Sequence, residues 1–179
     1  EPFLKLRHPG TILAEDGRKM SKSLGNVINP DEVVAQYGAD AVRMYEMFVG
    51  PLADAKPWNT KNIVGIKRFL EKVWRLQEKV GDFEHLEAKL LSSLEILRHK
   101  TIKKVGEDIQ TFDFNTAISQ LMIFANAMEK EQVISKNAWK SFLLLLAPFA
   151  PHITEELWHC LGEKESVHAQ TWPLHNPEL

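Results

Sequence analysis

The stretch TKNIVGIKRFLEKVWRLQEKV, residues 60–80, carries the strongest fold signal in the chain. Its apolar residues recur at intervals of three and four, which is typical of a helix with one face against a core. These residues are Ile63, Ile66, Phe69, Leu70, Val73, Trp74, Leu76 and Val80. Gly81 follows them and can end a helix. The pattern predicts an amphipathic helix from Thr60 to Val80, with Trp74 in the apolar face.

Further helices are predicted after this stretch. A long one over about Glu84 to Val105 is indicated by Leu86, Leu90, Leu94, Leu97, Thr101 and Val105. Asp113 or Asn115 can cap AISQLMIFANAME, Ser135 can cap KNAWKSFLLLLA, and Pro151 can open PHITEELWHCL. Helices joined by short connections favour an antiparallel bundle. We therefore expect a mainly α fold, in which only FLKL, TILA and VHAQTWP are candidate strands.

Two short helices are predicted before the bundle. Asn29 is a suitable N-cap for a helix from Pro30 to Tyr37, which Gly38 can close. Asp40 can then cap AVRMYEMFV, which stops at Gly50. The proline-rich PLADAKPWN that follows predicts a domain boundary, with residues 1–57 before it and 58–179 after it.

Composition limits the possible partners. The chain has 179 residues, 44% of them hydrophobic, and a formal net charge of -2, so a polyanion must be met by a local patch. The single cysteine, Cys160, excludes an internal disulfide framework and favours a reducing compartment, which is the cytoplasm or an organelle matrix, with the cytoplasm as the expected location. The longest apolar run, FLLLLAPFAP, is too short to span a membrane, so no membrane partner is expected. The histidines near Cys160 lack the spacing of a zinc module, so no bound metal is expected.

The loop DGRKMSKSLGNVINP, residues 16–30, raises a chemical question. Lys19 and Lys22 lie three apart among serine, glycine and asparagine, where they can either be solvated or converge on a phosphate chain. The five residues from Lys19 to Ser23 are expected by chance in a chain of this length about once in 10⁴. This rarity favours the phosphate interpretation.

That string is the KMSKS signature of class I aminoacyl-tRNA synthetases, and the flanking residues resemble the subgroup for leucine, isoleucine and valine. WNTKNIVGIKRFLEKVWRL and LLLLAPFAPHITEELW resemble the helical anticodon-binding domain of the same subgroup. NVINPDE, RMYEMFVGPL and GIKRFLEKVWRL are most similar to leucyl-tRNA synthetases, with the isoleucine and valine enzymes as the alternative. Nearly the whole chain is covered by the resemblance.

The resemblance implies roles for individual residues. Lys22, and after it Lys19, would stabilise the pyrophosphate that leaves ATP, which enters with Mg²⁺ as a substrate. Met20, Ser21 and Ser23 would complete the ATP-binding loop, with Met20 packing the loop down rather than touching phosphate. Gly25 and Asn26 would add flexibility and amide contacts. Leucine and adenosine would be bound by a half of the site that this sequence lacks, because no HIGH-type motif is present. The chain alone is therefore expected to be inactive, either as a truncated polypeptide or as the partner of a second chain carrying the nucleotide fold.

The predicted helix from Thr60 also suggests a nucleic-acid surface. Four cations, Arg68, Lys72, Arg75 and Lys79, are spaced so that they form one row opposite its apolar face, here called the cationic stripe. The stripe can follow the phosphates of tRNA-Leu, or it can be an ordinary solvated face. A free-standing RNA-binding module is the alternative to an enzyme part, since both keep the same residues.

Overall fold

The computed structural model describes residues 2–81 and 93–179. Within these ranges it contains seven α-helices. They are α1 (Pro30–Tyr37), α2 (Ala39–Phe48), α3 (Thr60–Leu76), α4 (Ser93–Thr111), α5 (Phe114–Lys130), α6 (Lys136–Leu146) and α7 (Pro151–Cys160). Four two-residue strands are β1 (Ile12–Leu13), β2 (Lys56–Pro57), β3 (Val80–Gly81) and β4 (Ile134–Ser135). β1 pairs in parallel with β2, and β3 in parallel with β4. The expected mainly α fold is confirmed.

The helices share one apolar core. Trp139, Phe124 and Phe142 are fully buried in it, and the Trp139 ring stacks on Phe142 with centroids 5.6 Å apart. α4 and α5 are joined by only two residues and lie side by side, as expected of neighbours in an antiparallel bundle. Ser135 caps α6 by accepting a hydrogen bond from Ala138 N, as the sequence predicts.

The first short helix has the predicted extent, while α2 begins two residues before the predicted start at Ala41, and the role expected for Asp40 is wrong. Asn29 caps α1 by accepting from Asp31 N. Asp40 lies inside the first turn of α2, and its carboxylate accepts hydrogen bonds from His152 N and Ile153 N at the start of α7. A carboxylate at a helix N-terminus is stabilised by the unpaired N–H groups there. Asp40 therefore ties α2 to α7 instead of capping its own helix.

Two predicted helix extents change. The helix from Thr60 ends at Leu76 and continues as a 3₁₀ turn, Gln77–Lys79, because Val80 leaves the helix to pair with Ile134. The part of the predicted second helix from 84 to 92, with Leu86 and Leu90, lies outside the described residues. Its described part, α4, runs past the predicted end at Val105 to Thr111.

Three further expectations are wrong. Trp74 is 47% exposed, because it lies at the edge of the buried arc of α3 rather than within it. FLKL forms no strand, and its Phe3, Leu4 and Leu6 are exposed. VHAQTWP contains a 3₁₀ turn that starts at Val167, where the Ser166 hydroxyl caps the turn. Of the candidate strands, only TILA contains one.

The predicted domain boundary between 57 and 58 falls at a packed junction. Trp58 is buried, donates its backbone N–H to Leu13 O and meets the Tyr45 ring edge-on at 4.9 Å. The Tyr45 hydroxyl accepts from Asn59 N at 3.0 Å. α2 packs against α3, α5 and α7, so the first segment and the bundle are in direct contact. The boundary itself stays a prediction.

Candidate nucleotide loop and nucleic-acid interface

Residues 16–29, here called the lysine loop, begin with a tight turn. Ala14 N donates to Arg18 O and Gly17 N to Ala14 O, and Leu13 forms an isolated antiparallel bridge with Lys19. The Asp16 carboxylate accepts from Arg18 N at 3.0 Å and from Arg18 Nε at 2.7 Å. These hydrogen bonds lower the pKa of Asp16 below its ordinary value, which keeps it charged beside the arginine.

The side chain of Asn26 organises the centre of the lysine loop. Its Oδ1 accepts from Ser21 N at 2.8 Å, and its Nδ2 donates to Lys19 O at 3.3 Å. Between them the chain makes a 3₁₀ turn from Lys22 to Leu24, which ends at Gly25 with φ of 63°. Glycine adopts this left-handed conformation without strain. Asn26 therefore acts in this structure as a clamp between the backbone segments on either side of the turn.

The side chains of the lysine loop divide into anchored and free groups. Met20 is half-buried against the core, as the sequence predicts for packing. The Ser21 and Ser23 hydroxyls lie 2.7 Å apart and bond to each other. Lys19 and Lys22 are exposed, and neither ammonium makes a hydrogen bond or an ion pair with any residue in the ranges 2–81 and 93–179. Two cations within four residues are thus available to an anionic ligand.

The base of the lysine loop adjoins the start of α3. The Glu15 carboxylate lies 3.4 Å from Thr60 N, to which it is hydrogen bonded, and strand β1 pairs with β2 just before that helix. Asn59 caps α3 by accepting from Lys61 N. α3 therefore leads directly away from the lysine loop, and its exposed face extends from the loop along the bundle.

The cationic stripe, which lies on α3 except for Lys79 in the 3₁₀ turn after it, contains two kinds of side chain. Arg68 and Arg75 are exposed and make no hydrogen bond or ion pair within the described part of the chain. Lys72 Nζ instead lies 2.8 Å from both Asn126 Oδ1 and Glu129 Oε2. The hydrogen bond from Lys72 lowers the pKa of Glu129. Lys72 is therefore already paired with an anion on α5.

Lys79 is also engaged, but with neutral groups. Its ammonium donates to Glu129 O at 2.6 Å and to Glu131 O at 3.1 Å. These carbonyls terminate α5, where a positive charge complements the helix dipole. Lys79 is therefore held in place by α5. Periodicity placed the four cations on one face, but it carried no information about which of them α5 would engage.

Lys61 is a cation on the same face that the sequence interpretation missed. It precedes Arg68 by seven residues, which is two helical turns, and it is exposed without a hydrogen bond or ion pair to another described residue. The seven-residue spacing between Lys61 and Arg68 could have placed Lys61 on this face from the sequence alone. Lys61, Arg68 and Arg75 form a row of unpaired cations along α3.

Two of the histidines considered for metal binding have other partners. In the ranges 2–81 and 93–179 no three His, Cys, Asp or Glu side chains are grouped so that they could hold a metal ion. His152 Nδ1 contacts Asp40 Oδ1 at 2.7 Å, and His159 Nδ1 contacts Glu163 O at 3.0 Å. No helix among the described residues has the length and apolar character needed to cross a bilayer.

Two family models match the chain. The model for tRNA synthetases class I (I, L, M and V) matches residues 1–59, which include the lysine loop. The model for the anticodon-binding domain of tRNA ligase matches residues 94–179. The matches lie on either side of the junction at which α3 begins.

Curated relatives match over the entire chain. The leucine–tRNA ligase of Chloroherpeton thalassium is 52% identical and that of Pelodictyon phaeoclathratiforme 53% identical, each over 100% of this chain. Over its whole length the chain is similar to a segment of leucine–tRNA ligases. It spans 23% of the length of each of these two relatives. The recognition of a leucyl-tRNA synthetase segment from its motifs is confirmed.

Solved structures of a LeuRS and of a methionyl-tRNA synthetase share the fold of this chain. The Agrobacterium radiobacter LeuRS, solved as a ternary complex with tRNA and LeuAMS, superposes with a TM-score of 0.88 at 33% identity, covering 100% of this chain and 25% of that one. A Mycobacterium tuberculosis methionyl-tRNA synthetase superposes with a TM-score of 0.59 at 17% identity over 84% of this chain and 37% of its own. At that identity the second likeness concerns the fold alone.

Proposed function

We propose that the chain supplies the ATP-closing loop and part of the tRNA-binding surface of a leucine–tRNA ligase. We propose the cytoplasm as its location. The observation that carries this proposal is the lysine loop itself. Its Lys19 and Lys22 are both unpaired among the described residues, in a chain that is about half identical to leucine–tRNA ligases throughout. The substrates are ATP with Mg²⁺, leucine and tRNA-Leu.

The lysine loop acts by electrostatics. When the leucine carboxylate attacks the α-phosphate of ATP, negative charge accumulates on the departing pyrophosphate. Lys22 and Lys19 stabilise that charge, because a positive group placed where charge develops lowers the transition state more than the ground state. Ser21 and Ser23 offer hydroxyl hydrogen bonds to the same phosphates, while Met20 keeps the loop seated on the core.

The tRNA-binding part rests on α3. Among the stripe residues, Arg68 and Arg75 bind phosphates directly because no hydrogen bond or ion pair in the described chain engages them. Lys79 adds long-range attraction from a fixed position, and Lys72 adds less because Glu129 neutralises it. Such contacts bind and orient RNA without reading its bases.

The test of the loop assignment uses the complete ligase that contains this segment. Lys22→Ala should lower the kcat of leucine-dependent ATP–pyrophosphate exchange by ~10²–10³, with the KM for leucine little changed. Lys19→Ala should have the same direction and a smaller effect. Lys164→Ala removes an exposed lysine outside the loop and is the matched control. An exchange rate for Lys22→Ala equal to that of Lys164→Ala would refute the assignment.

A further inference from the structure

Gly65 lies inside α3 where no contact within the described chain requires a glycine. A Cβ built on it meets nothing within 4 Å outside its own helix. Glycine in a helix interior is destabilising relative to alanine, because it has more conformational freedom to lose on folding. The fold would therefore be more stable with alanine here, and no contact among the described residues accounts for the glycine.

Gly106, in the interior of α4, is the comparison glycine. A Cβ there would lie 3.4 Å from Trp172 Nε1 of the C-terminal segment, which is an ordinary van der Waals contact. The two glycines have the same local cost, but only at Gly106 would an added methyl group meet a neighbouring residue.

Lys61 is a second residue of α3 that is unfavourable for helix stability at its position. It lies in the first turn of α3, where the helix dipole disfavours a cation. With Gly65 it lines an open cleft of about 430 Å³ between α2 and α3, whose other lining residues are Tyr45, Phe48, Val49 and Asn62. None of these six residues is acidic. Positions that break local rules together are expected at functional sites.

The charge around the cleft specifies the kind of partner. Lys61 lies one helical turn before Gly65 and Arg68 nearly one turn after it, so both exposed cations flank the bare backbone. Neither has an anionic partner among the described residues. A polyanion whose chain passes between two cations and approaches a helix closely matches this arrangement. No acid lines the cleft, and the acid beside it, Glu15, accepts a hydrogen bond from Thr60 N.

We propose that the sugar–phosphate backbone of tRNA passes through this cleft against the Gly65 backbone, with Lys61 and Arg68 on its phosphates. The proposal rests on the tRNA-binding part of the proposed function and locates its closest approach. Gly65 is then a positioning residue, because it binds nothing and instead leaves room for the phosphates to reach the flanking cations.

The test measures stability and affinity on the same variants of the chain, with a tRNA-Leu transcript as the probe. Gly65→Ala should raise the Tm by about 2–4 °C, since alanine favours the helix, and should weaken tRNA binding by about fivefold or more, since a methyl group intrudes on the contact. Gly65→Leu should weaken binding further. Lys61→Gln should weaken binding and flatten its salt dependence by about 0.7–0.9 in log–log slope.

Gly106→Ala makes the same chemical change away from the cleft and should leave tRNA affinity unchanged. If the wild-type chain binds tRNA and Gly65→Ala and Gly65→Leu bind equally well, the inference is wrong while the proposed function stands. If the wild-type chain does not bind tRNA at all, the tRNA-binding part of the proposed function fails and the inference fails with it. A more stable Gly65→Ala that binds tRNA more weakly would support the contact, because misfolding does not raise Tm.

Discussion

The lysine loop and helix α3 both carry cations at the surface, but they keep them available in different ways. In the lysine loop the backbone is held by the Asn26 amide and a bridge to Leu13, so Lys19 and Lys22 remain unpaired among the described residues. In α3 the backbone is held by its apolar face, and the neighbouring helix α5 engages two of the four stripe cations.

This difference shows that exposure and availability are separate properties of a charge. A loop that satisfies its own backbone groups leaves its charged side chains for a ligand. A helix that packs in a bundle brings its flanks near other helices, where carboxylates and helix C-terminal carbonyls compete for lysine. Arginine and lysine residues at one helical spacing therefore do not form a functionally uniform row.

The largest expected change in the free energy of unfolding distinguishes the apolar core of the bundle from the hydrogen bonds of the lysine loop. Trp139→Ala should lower the free energy of unfolding by about 3–5 kcal/mol, because it empties the centre of the bundle core. Asn26→Ala should lower it by only about 1 kcal/mol or less, because the two hydrogen bonds it removes are solvent-exposed or only partly buried. Urea denaturation of both variants measures the contrast.

Trp74→Ala is the matched tryptophan control for that contrast. Its side chain is 47% exposed, so its removal should cost clearly less than the removal of Trp139. Equal losses for Trp139→Ala and Trp74→Ala would contradict the described core, and an unfolding effect of Asn26→Ala as large as that of Trp139→Ala would contradict the separation of the two regions.

A smaller effect is expected where a polar contact connects the first segment to the bundle. Asp40→Asn keeps the size of the side chain but removes the charge that two N–H groups of α7 share, so stability should fall by about 1–2 kcal/mol. Asp31→Asn, in the exposed first turn of α1, is the control and should cost about 0.3 kcal/mol. Indistinguishable denaturation midpoints for the two variants would show that Asp40 does not stabilise the junction.

Local sequence signals predicted much of the fold. The caps at Asn29 and Ser135 and the period of α3 depend on residues close together in the chain, and the structure confirms them. Asp40 was assigned to the wrong helix because its true partners, His152 and Ile153, are more than 100 residues away. Propensity and spacing contain no information about such contacts.

In the candidate site, too, the sequence revealed contiguous features but not contacts between distant segments. The KMSKS string identified the lysine loop and the family, because that motif is contiguous. The pairing of Lys72 with Glu129 depends on how α3 and α5 pack, so periodicity along α3 alone did not reveal it. Lys61 was within reach of the same periodicity, two turns before Arg68, and was overlooked because it lies at the helix start.

The central claim is that tRNA binds to the cations that the fold leaves unpaired, and a salt titration of tRNA-Leu binding tests it most directly. With Lys61, Arg68 and Arg75 on phosphates, the slope of log affinity against log salt should be about -2 to -3. The double variant Arg68→Gln with Arg75→Gln should flatten it by about 1.5 units, and Lys72→Gln with Lys79→Gln by less than about 0.7. Equal slopes for both double variants, or a wild-type slope that neither changes, would contradict the account.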